Sequence, residues 1–128
     1  MVLIAQFIGS LFGTTAIIFG AFGAHALKKI MTVEQLSSFE TGVKYQMYHA
    51  LVLLMLSFNM NLDTALEKYM VYCFILGTFL FSFSIYGLCI SSAKGKKWKF
   101  LGPVTPLGGL FLVAGWALLL YSFVQNYF

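Results

Sequence analysis

The chain has 128 residues, of which 60% are hydrophobic and 9% are charged, and its mean hydropathy is +0.88. Soluble globular domains carry about 25% charged residues, most of them on the surface. With eight lysines and four acidic residues in all, this chain cannot form such a surface. The composition therefore excludes an ordinary soluble domain and predicts an integral membrane protein.

The net charge of +4 comes from lysine, because the chain contains no arginine. These lysines flank apolar segments and do not alternate with aromatic residues on a basic surface, which would be typical of nucleic-acid binding. Lysines beside membrane segments instead attract anionic lipid headgroups, each by about 1 kcal/mol. We therefore expect membrane lipids, and no nucleic acid, as partners.

Every charged residue lies within 28–44, 63–68 or 94–99, and the rest of the chain forms four charge-free segments. About 20 apolar residues suffice for a helix to cross the hydrocarbon core. The sequence therefore predicts an all-α integral membrane four-helix bundle, a single transmembrane domain over residues 1–128. Its spans are expected at about 2–26, 42–62, 68–92 and 104–125. Span 1 lacks a basic start and exceeds a signal-peptide core in length, so we expect it to be retained.

The loop after span 1 contains a helix-start signal. Thr32 and Gln35 have the spacing of a capping box, and Leu36 and Phe39 follow at helical spacing. This pattern predicts a short interfacial helix between spans 1 and 2, leading into the second span through Gly42.

Glycines recur along the predicted spans. In lipid, close helix contacts depend on small residues that let backbones approach. We interpret seven glycines as helix-packing positions, the alternative being a hinge or a glycine-lined path: Gly9, Gly13, Gly20 and Gly23 in span 1, Gly77 in span 3, and Gly108 and Gly115 in span 4.

The two cysteines, Cys73 and Cys89, lie sixteen residues apart in span 3. On a straight helix this spacing separates them by about 24 Å, which is too far for a disulfide. The spacing also fits no metal-ligand motif, so both are expected to be small core residues. No metal ion and no cofactor are predicted.

Span 4 is preceded by Gly102 and Pro103. Thr105 is predicted to be its N-cap and Pro106 its first helical residue, which gives twenty residues from Pro106 to Gln125.

The lysines predict the orientation of the bundle. Seven lie on the side of the first and third loops and only Lys68 lies on the other side, next to Asp63 and Glu67. Because cytoplasmic loops carry the excess of lysine, we expect both of these loops in the cytoplasm and both termini outside.

One polar cluster is predicted near the cytoplasmic side. His25 ends span 1, Gln46 and His49 share a face of span 2, and Thr105 begins span 4. Ionisable groups at membrane depth are candidate functional sites. Three roles are open for these residues: structural hydrogen bonds between helices, binding of a lipid or quinone headgroup, and proton transfer or metal ligation. Two histidines without a cysteine or a third carboxylate make a weak metal site.

Motifs for catalysis are missing from the sequence. It contains no Gly-x-Ser-x-Gly, no HExxH, no phosphate-binding glycine loop and no intramembrane pair of carboxylates. We therefore do not expect an enzyme.

The chain contains three separated motifs: Gly20-Ala21-Phe22-Gly23-Ala24-His25, Phe39-x-Thr41-Gly42-Val43-x-Tyr45-Gln46-Met47-x-His49-Ala50-Leu51, and Gly102-Pro103-Val104-Thr105-Pro106-Leu107-Gly108-Gly109 with Gly115-Trp116. In this order they resemble the YgdD-like membrane proteins. The resemblance implies a four-span protein of the bacterial cytoplasmic membrane, with distant eukaryotic relatives and no assigned biochemical activity. It also places the four residues of the predicted polar cluster inside the motifs.

The expected function is that of a small, non-enzymatic membrane-stabilising or accessory protein that binds lipid, forms a homo-oligomer or joins a larger membrane complex. The alternative is a small transporter or channel that uses His25 and His49. Transport requires a continuous polar path, whereas spans 3 and 4 offer few polar residues in their outer halves.

Overall fold

The computed structural model describes the backbone of all 128 residues and every side chain except that of Ala24, so this part of the first motif lies outside the described side chains. Its α-helices are α1 (Val2–His25), α2 (Val33–Asn59), α3 (Ala65–Thr78), α4 (Ser84–Ala93) and α5 (Val104–Tyr127). Short 3-10 helices at Leu27–Lys29 and Lys99–Leu101 precede α2 and α5. A π-helical turn, Phe79–Phe83, joins α3 to α4 without a break. The predicted all-α fold is confirmed.

Neighbouring helices in the chain pack antiparallel. In the contact between α1 and α2, Gly9 lies next to Ala50 while Gly23 lies next to Phe39. In the contact between α3 and α5, Gly77 lies next to Leu112 and Gly115 lies next to Phe74. As a result, α1 and α4 end where α2 and α5 begin. We call this end, which carries Lys28, Lys29, Lys94, Lys96, Lys97 and Lys99, the lysine-rich end.

Three helical segments of the described chain are long and apolar enough to cross a membrane: Val2–Gly23, Ala65–Ala93 and Lys99–Tyr127. The 27-residue helix α2, which contains the predicted second span, is not among them. The physical reason is that its middle part carries Lys44, Gln46 and His49, which lower its hydropathy.

The predicted capping box is present, because the Thr32 hydroxyl accepts from the amide of Gln35 at 3.1 Å and the Gln35 side chain accepts from the amide of Thr32 at 3.0 Å. However, the box begins α2 itself and not a separate interfacial helix. The helix continues through Gly42, where a Cβ would lie 2.8 Å from the ring of Tyr86. The residues predicted as an interfacial helix are therefore the first part of α2, which is one continuous helix.

The start of α5 also differs from the prediction. The helix begins at Val104 after Pro103, so Thr105 is its second residue and not its N-cap. Pro106 occupies the third position, where a missing amide hydrogen costs little because first-turn amides have no intrahelical acceptor.

The buried apolar residues form two clusters. The larger, around Leu53, Met70 and Phe74, lies toward the end where the chain termini are found. The smaller, around Leu27 and Phe39, lies at the lysine-rich end. Polar side chains of α2 and of the π turn lie between the two clusters.

The seven predicted packing glycines fall into two groups. At five of them a Cβ would press closely on a neighbouring helix: Gly9, Gly23, Gly77, Gly108 and Gly115. Gly20 and Gly13 are looser, with nearest distances of 3.4 Å to Val43 and 3.9 Å to Ala50. The tightest contact is at Gly108, where a Cβ would lie 2.8 Å from the Cα of Phe81 and 2.9 Å from the carbonyl carbon of Leu80.

This contact predicts different outcomes for two adjacent glycines. Gly108→Ala should lower the stability of the protein by about 1–3 kcal/mol, because the backbone of the π turn must move to admit the methyl group. Gly109→Ala should leave stability unchanged or raise it, since its nearest contact is 3.9 Å away and alanine favours helix. Apparent melting temperatures in detergent would measure both variants. Equal melting temperatures would contradict the role of Gly108.

Candidate functional site

Gln46 is completely buried and joins three helices. Its Nε2 donates to the carbonyl oxygen of Phe12 at 2.8 Å and to the hydroxyl of Thr15 at 2.6 Å, both on α1. Its Oε1 accepts from the hydroxyl of Tyr86 on α4 at 2.7 Å. The Phe12 carbonyl can only accept, so it fixes which end of the amide faces α1.

A second hydrogen bond links α2 to the π turn. The hydroxyl of Ser82, which is fully buried, donates to the carbonyl oxygen of Gly42 at 2.7 Å. We call Thr15, Gln46, Ser82 and Tyr86, together with His49, the polar layer.

His49 is also buried, and both of its ring nitrogens are engaged. Nδ1 lies 2.7 Å from the carbonyl oxygen of Tyr45, and Nε2 lies 3.1 Å from Nε1 of Trp116 on α5. A carbonyl oxygen only accepts and an indole nitrogen only donates, so the hydrogen is on Nδ1 and Nε2 is an acceptor. The ring is therefore neutral in this arrangement and has no lone pair left for a metal ion.

His25 does not join Gln46 and His49. It is exposed at the C-terminal end of α1. Thr15, which bonds to Gln46, lies ten residues earlier on the same helix. At 1.5 Å per residue this separation is about 15 Å along the helix. The expectation that all four residues form one cluster is thus not met at His25.

Thr105 lies apart from the polar layer as well. Its hydroxyl is 2.6 Å from the hydroxyl of Ser84, which itself donates to the carbonyl oxygen of Phe81 at 2.9 Å. Because the Ser84 hydrogen is already used, Thr105 is the donor in this pair. The topology predicted from the sequence gives the end of the bundle at which these residues lie, but not the helix faces that meet.

Sequence reasoning missed the partners of Gln46 and His49. The site residues predicted from the sequence do not include Tyr86, Trp116, Thr15 or Ser82. The available signal was that a polar residue inside a span needs partners on other helices.

Among the described residues, Thr78 Oγ1 is the buried side-chain polar atom without a hydrogen-bond partner. In the same residues, no group of three or more His, Cys, Asp or Glu side chains could hold a metal ion.

A groove of about 690 Å³ lies at the lysine-rich end, between the first turns of α2, the last turns of α4 and the start of α5. We call it the lysine-end groove. Residues that line it include Glu34 and Thr41 of α2, Leu88 and Ser92 of α4, Lys97 of the following connection, and Thr105.

The polar layer predicts that removing one hydroxyl will destabilise the protein. Tyr86→Phe should cost about 1–3 kcal/mol, because it leaves the Oε1 of Gln46 buried without a donor. Tyr72→Phe is the matched control, since Tyr72 is on the exposed surface of α3. Thermal unfolding in detergent should show a lower melting temperature for the first variant only. A similar decrease in both would mean that the Tyr86 hydroxyl has no special role.

Comparisons with known proteins give the family. A family model described as "Protein of unknown function (DUF423)" matches residues 19–109. The UPF0382 inner membrane protein YgdD of Escherichia coli K12 is 39% identical over 107 residues, covering 83% of this chain and 78% of that protein. A UPF0382 membrane protein of Haemophilus influenzae is 31% identical over 113 residues, covering 88% and 87% of the two chains.

The similarity extends to a eukaryote. The UPF0382 membrane protein C1782.12c of Schizosaccharomyces pombe is 33% identical over 114 residues, covering 88% of this chain and 95% of that protein. No solved structure matches the chain. The region matched by the family model includes His25, Gln46, His49 and Thr105. The chain therefore belongs to the DUF423 family of membrane proteins, whose function is unknown.

Proposed function

We propose that the protein is a four-span component of the membrane that acts without catalysis, as a membrane-stabilising or accessory protein in contact with lipid or a larger complex. The observation that carries this proposal is that the polar atoms of the polar layer form their hydrogen bonds within the protein. The polar ends of Gln46 and Tyr86 and both nitrogens of His49 bond to other parts of the chain. These bonds hold helices together and leave none of the three side chains free for chemistry.

The proposal includes α2 as the second of four spans. Polar groups are costly in a span where they meet lipid, but Gln46 and His49 are buried and bonded inside the protein. The 27 residues of α2 extend over about 40 Å, more than the hydrocarbon thickness of about 30 Å. Lys44, which is exposed, can extend its ammonium group toward the lysine-rich end.

The proposed location is the bacterial cytoplasmic membrane, with the lysine-rich end in the cytoplasm and both termini outside. Two arguments support it. The excess of lysine is at one end, which is the usual sign of the cytoplasmic side. In addition, the relative from Escherichia coli is named as an inner membrane protein.

Reporter fusions expressed in a bacterium test this topology. Alkaline phosphatase, which is active only outside the cytoplasm, should be active when fused after Phe128 and inactive when fused after Gly95. Green fluorescent protein should give the opposite pattern. Fluorescence of the fusion after Phe128 would show that the orientation is inverted or that α2 does not cross the membrane.

The alternative of a transporter or channel required His25 and His49 to act as a pair. The two residues lie at different levels of the bundle, and both nitrogens of His49 are bonded to Tyr45 and Trp116. We therefore do not propose transport.

Proteoliposomes containing the purified protein and a pH-sensitive dye distinguish the two functions. When a membrane potential is applied, we expect the proton flux to equal that of empty liposomes for the wild type and for His25→Ala and His49→Phe. In the native host, deletion of the protein should increase leakage of a small dye under detergent stress, and His25→Ala should restore resistance. Proton flux above the background that His49→Phe abolishes would overturn the accessory role.

A further inference from the structure

The lysine-end groove has the size of a ligand site and lies where a lipid headgroup would be. Its volume of about 690 Å³ falls within the range of about 300–1,000 Å³ for small-molecule pockets. Glu34 lies in the first turn of α2 and Thr41 lies seven residues further on, so this wall extends over about 10 Å. The groove therefore reaches from the lysine-rich end toward the apolar interior.

One side of the groove offers hydrogen-bond donors and a positive charge. Ser92 lies near the end of α4, and Lys97 lies in the connection that follows. Lys97 carries an ammonium group, and Ser92 contributes a hydroxyl that can donate a hydrogen bond. A phosphate group accepts hydrogen bonds from both kinds of donor.

Acceptors line the groove on α2 and at the start of α5. Glu34 supplies a carboxylate. The hydroxyl of Thr41 already donates to the carbonyl oxygen of Ser37 at 3.1 Å, and the hydroxyl of Thr105 donates to Ser84. Both threonines therefore present only lone pairs to a ligand. A primary ammonium group, which has three N–H donors, matches this set of acceptors.

The floor of the groove is apolar where it is formed by Ile85 and Leu88 of α4. A ligand that fits all three surfaces carries a phosphate, a primary ammonium and an apolar chain.

We propose that the lysine-end groove binds the headgroup of phosphatidylethanolamine, with its phosphodiester at Lys97 and Ser92 and its ammonium toward Glu34. The proposal rests on the proposed function in that it requires this end of the protein to lie at a lipid surface. Phosphatidylcholine fits less well because its methylated ammonium has no N–H to donate. Phosphatidylglycerol has no positive charge to place at Glu34.

The test uses full-length protein reconstituted in bilayers of phosphatidylethanolamine, phosphatidylcholine and phosphatidylglycerol in equal amounts. After gentle extraction, native mass spectrometry counts the lipids that stay bound to the protein. We expect the wild type to retain phosphatidylethanolamine in preference to the other two. Glu34→Gln should reduce the preference over phosphatidylcholine by about tenfold, because one charge-assisted hydrogen bond is lost. Lys97→Gln should reduce retention of all three phospholipids.

Two exposed residues outside the groove lining provide matched controls. Glu40→Gln and Lys94→Gln make the same changes of charge on α2 and beside α4, and they should leave retention unchanged. Melting temperatures equal to that of the wild type would confirm that each variant is folded. An equal effect of Glu34→Gln and Glu40→Gln would overturn the site in favour of a general effect of surface charge.

Two further measurements are needed. One distinguishes binding of the lipid from binding of its soluble headgroup, and the other tests the groove independently of the proposed function. Displacement of the retained lipid by millimolar glycerophosphoethanolamine would mean that a soluble phosphate ester is the better ligand. Equal retention of the three phospholipids by the wild type would overturn the groove, while proteoliposomes without proton flux would leave the accessory role intact. Proton flux that His49→Phe abolishes would overturn the accessory role whichever lipids are retained.

Discussion

The buried amide of Gln46 is the interaction on which the arrangement of the helices depends. Its nitrogen bonds to α1 and its oxygen bonds to Tyr86 of α4. Inside a membrane no water can replace a lost partner, so an unsatisfied amide is costly. If α1 or α4 moved by one helical turn along α2, at least one of these bonds would break. Gln46 therefore selects one register, as a buried asparagine does in a coiled coil.

Glycine makes this register possible. At Gly42, the carbonyl oxygen accepts from Ser82, and the missing side chain leaves space for the ring of Tyr86, which in turn reaches Gln46. At Gly108, the backbone of α5 comes against the π turn that carries Ser82. The hydrogen bonds and the close backbone contacts thus support each other. Both matter in a membrane, because lipid provides little hydrophobic driving force for helix association.

The sequence predicted those features that depend on charge and local motifs, such as the lysine-rich end, the Thr32 capping box and the limits of α1. It did not predict which helix faces meet. The π turn is one reason, because its extra residue rotates α4 relative to α3, so a regular helical period drawn from Gly77 does not place Tyr86 correctly. His25 was grouped with His49 because both belong to the same end of the bundle, yet register along α1 separates them. Composition also hid the apolar outer surface of the second half of α2, where Leu51, Met55 and Phe58 are exposed, because the polar Gln46 and His49 face inward.

The polar layer and the lysine-end groove differ in whether their donors and lone pairs are free to bind a ligand. In the layer, Gln46 and His49 are bonded inside the protein, which suits a structural role. In the groove, Ser92 contributes a hydroxyl to the lining, and Thr41 and Thr105 retain their lone pairs. Thr105 belongs to both arrangements, because its hydroxyl bonds to Ser84 of α4 and it also lines the groove. Contact between this protein and its surroundings is therefore expected at the groove, on a scaffold that the buried layer keeps in place.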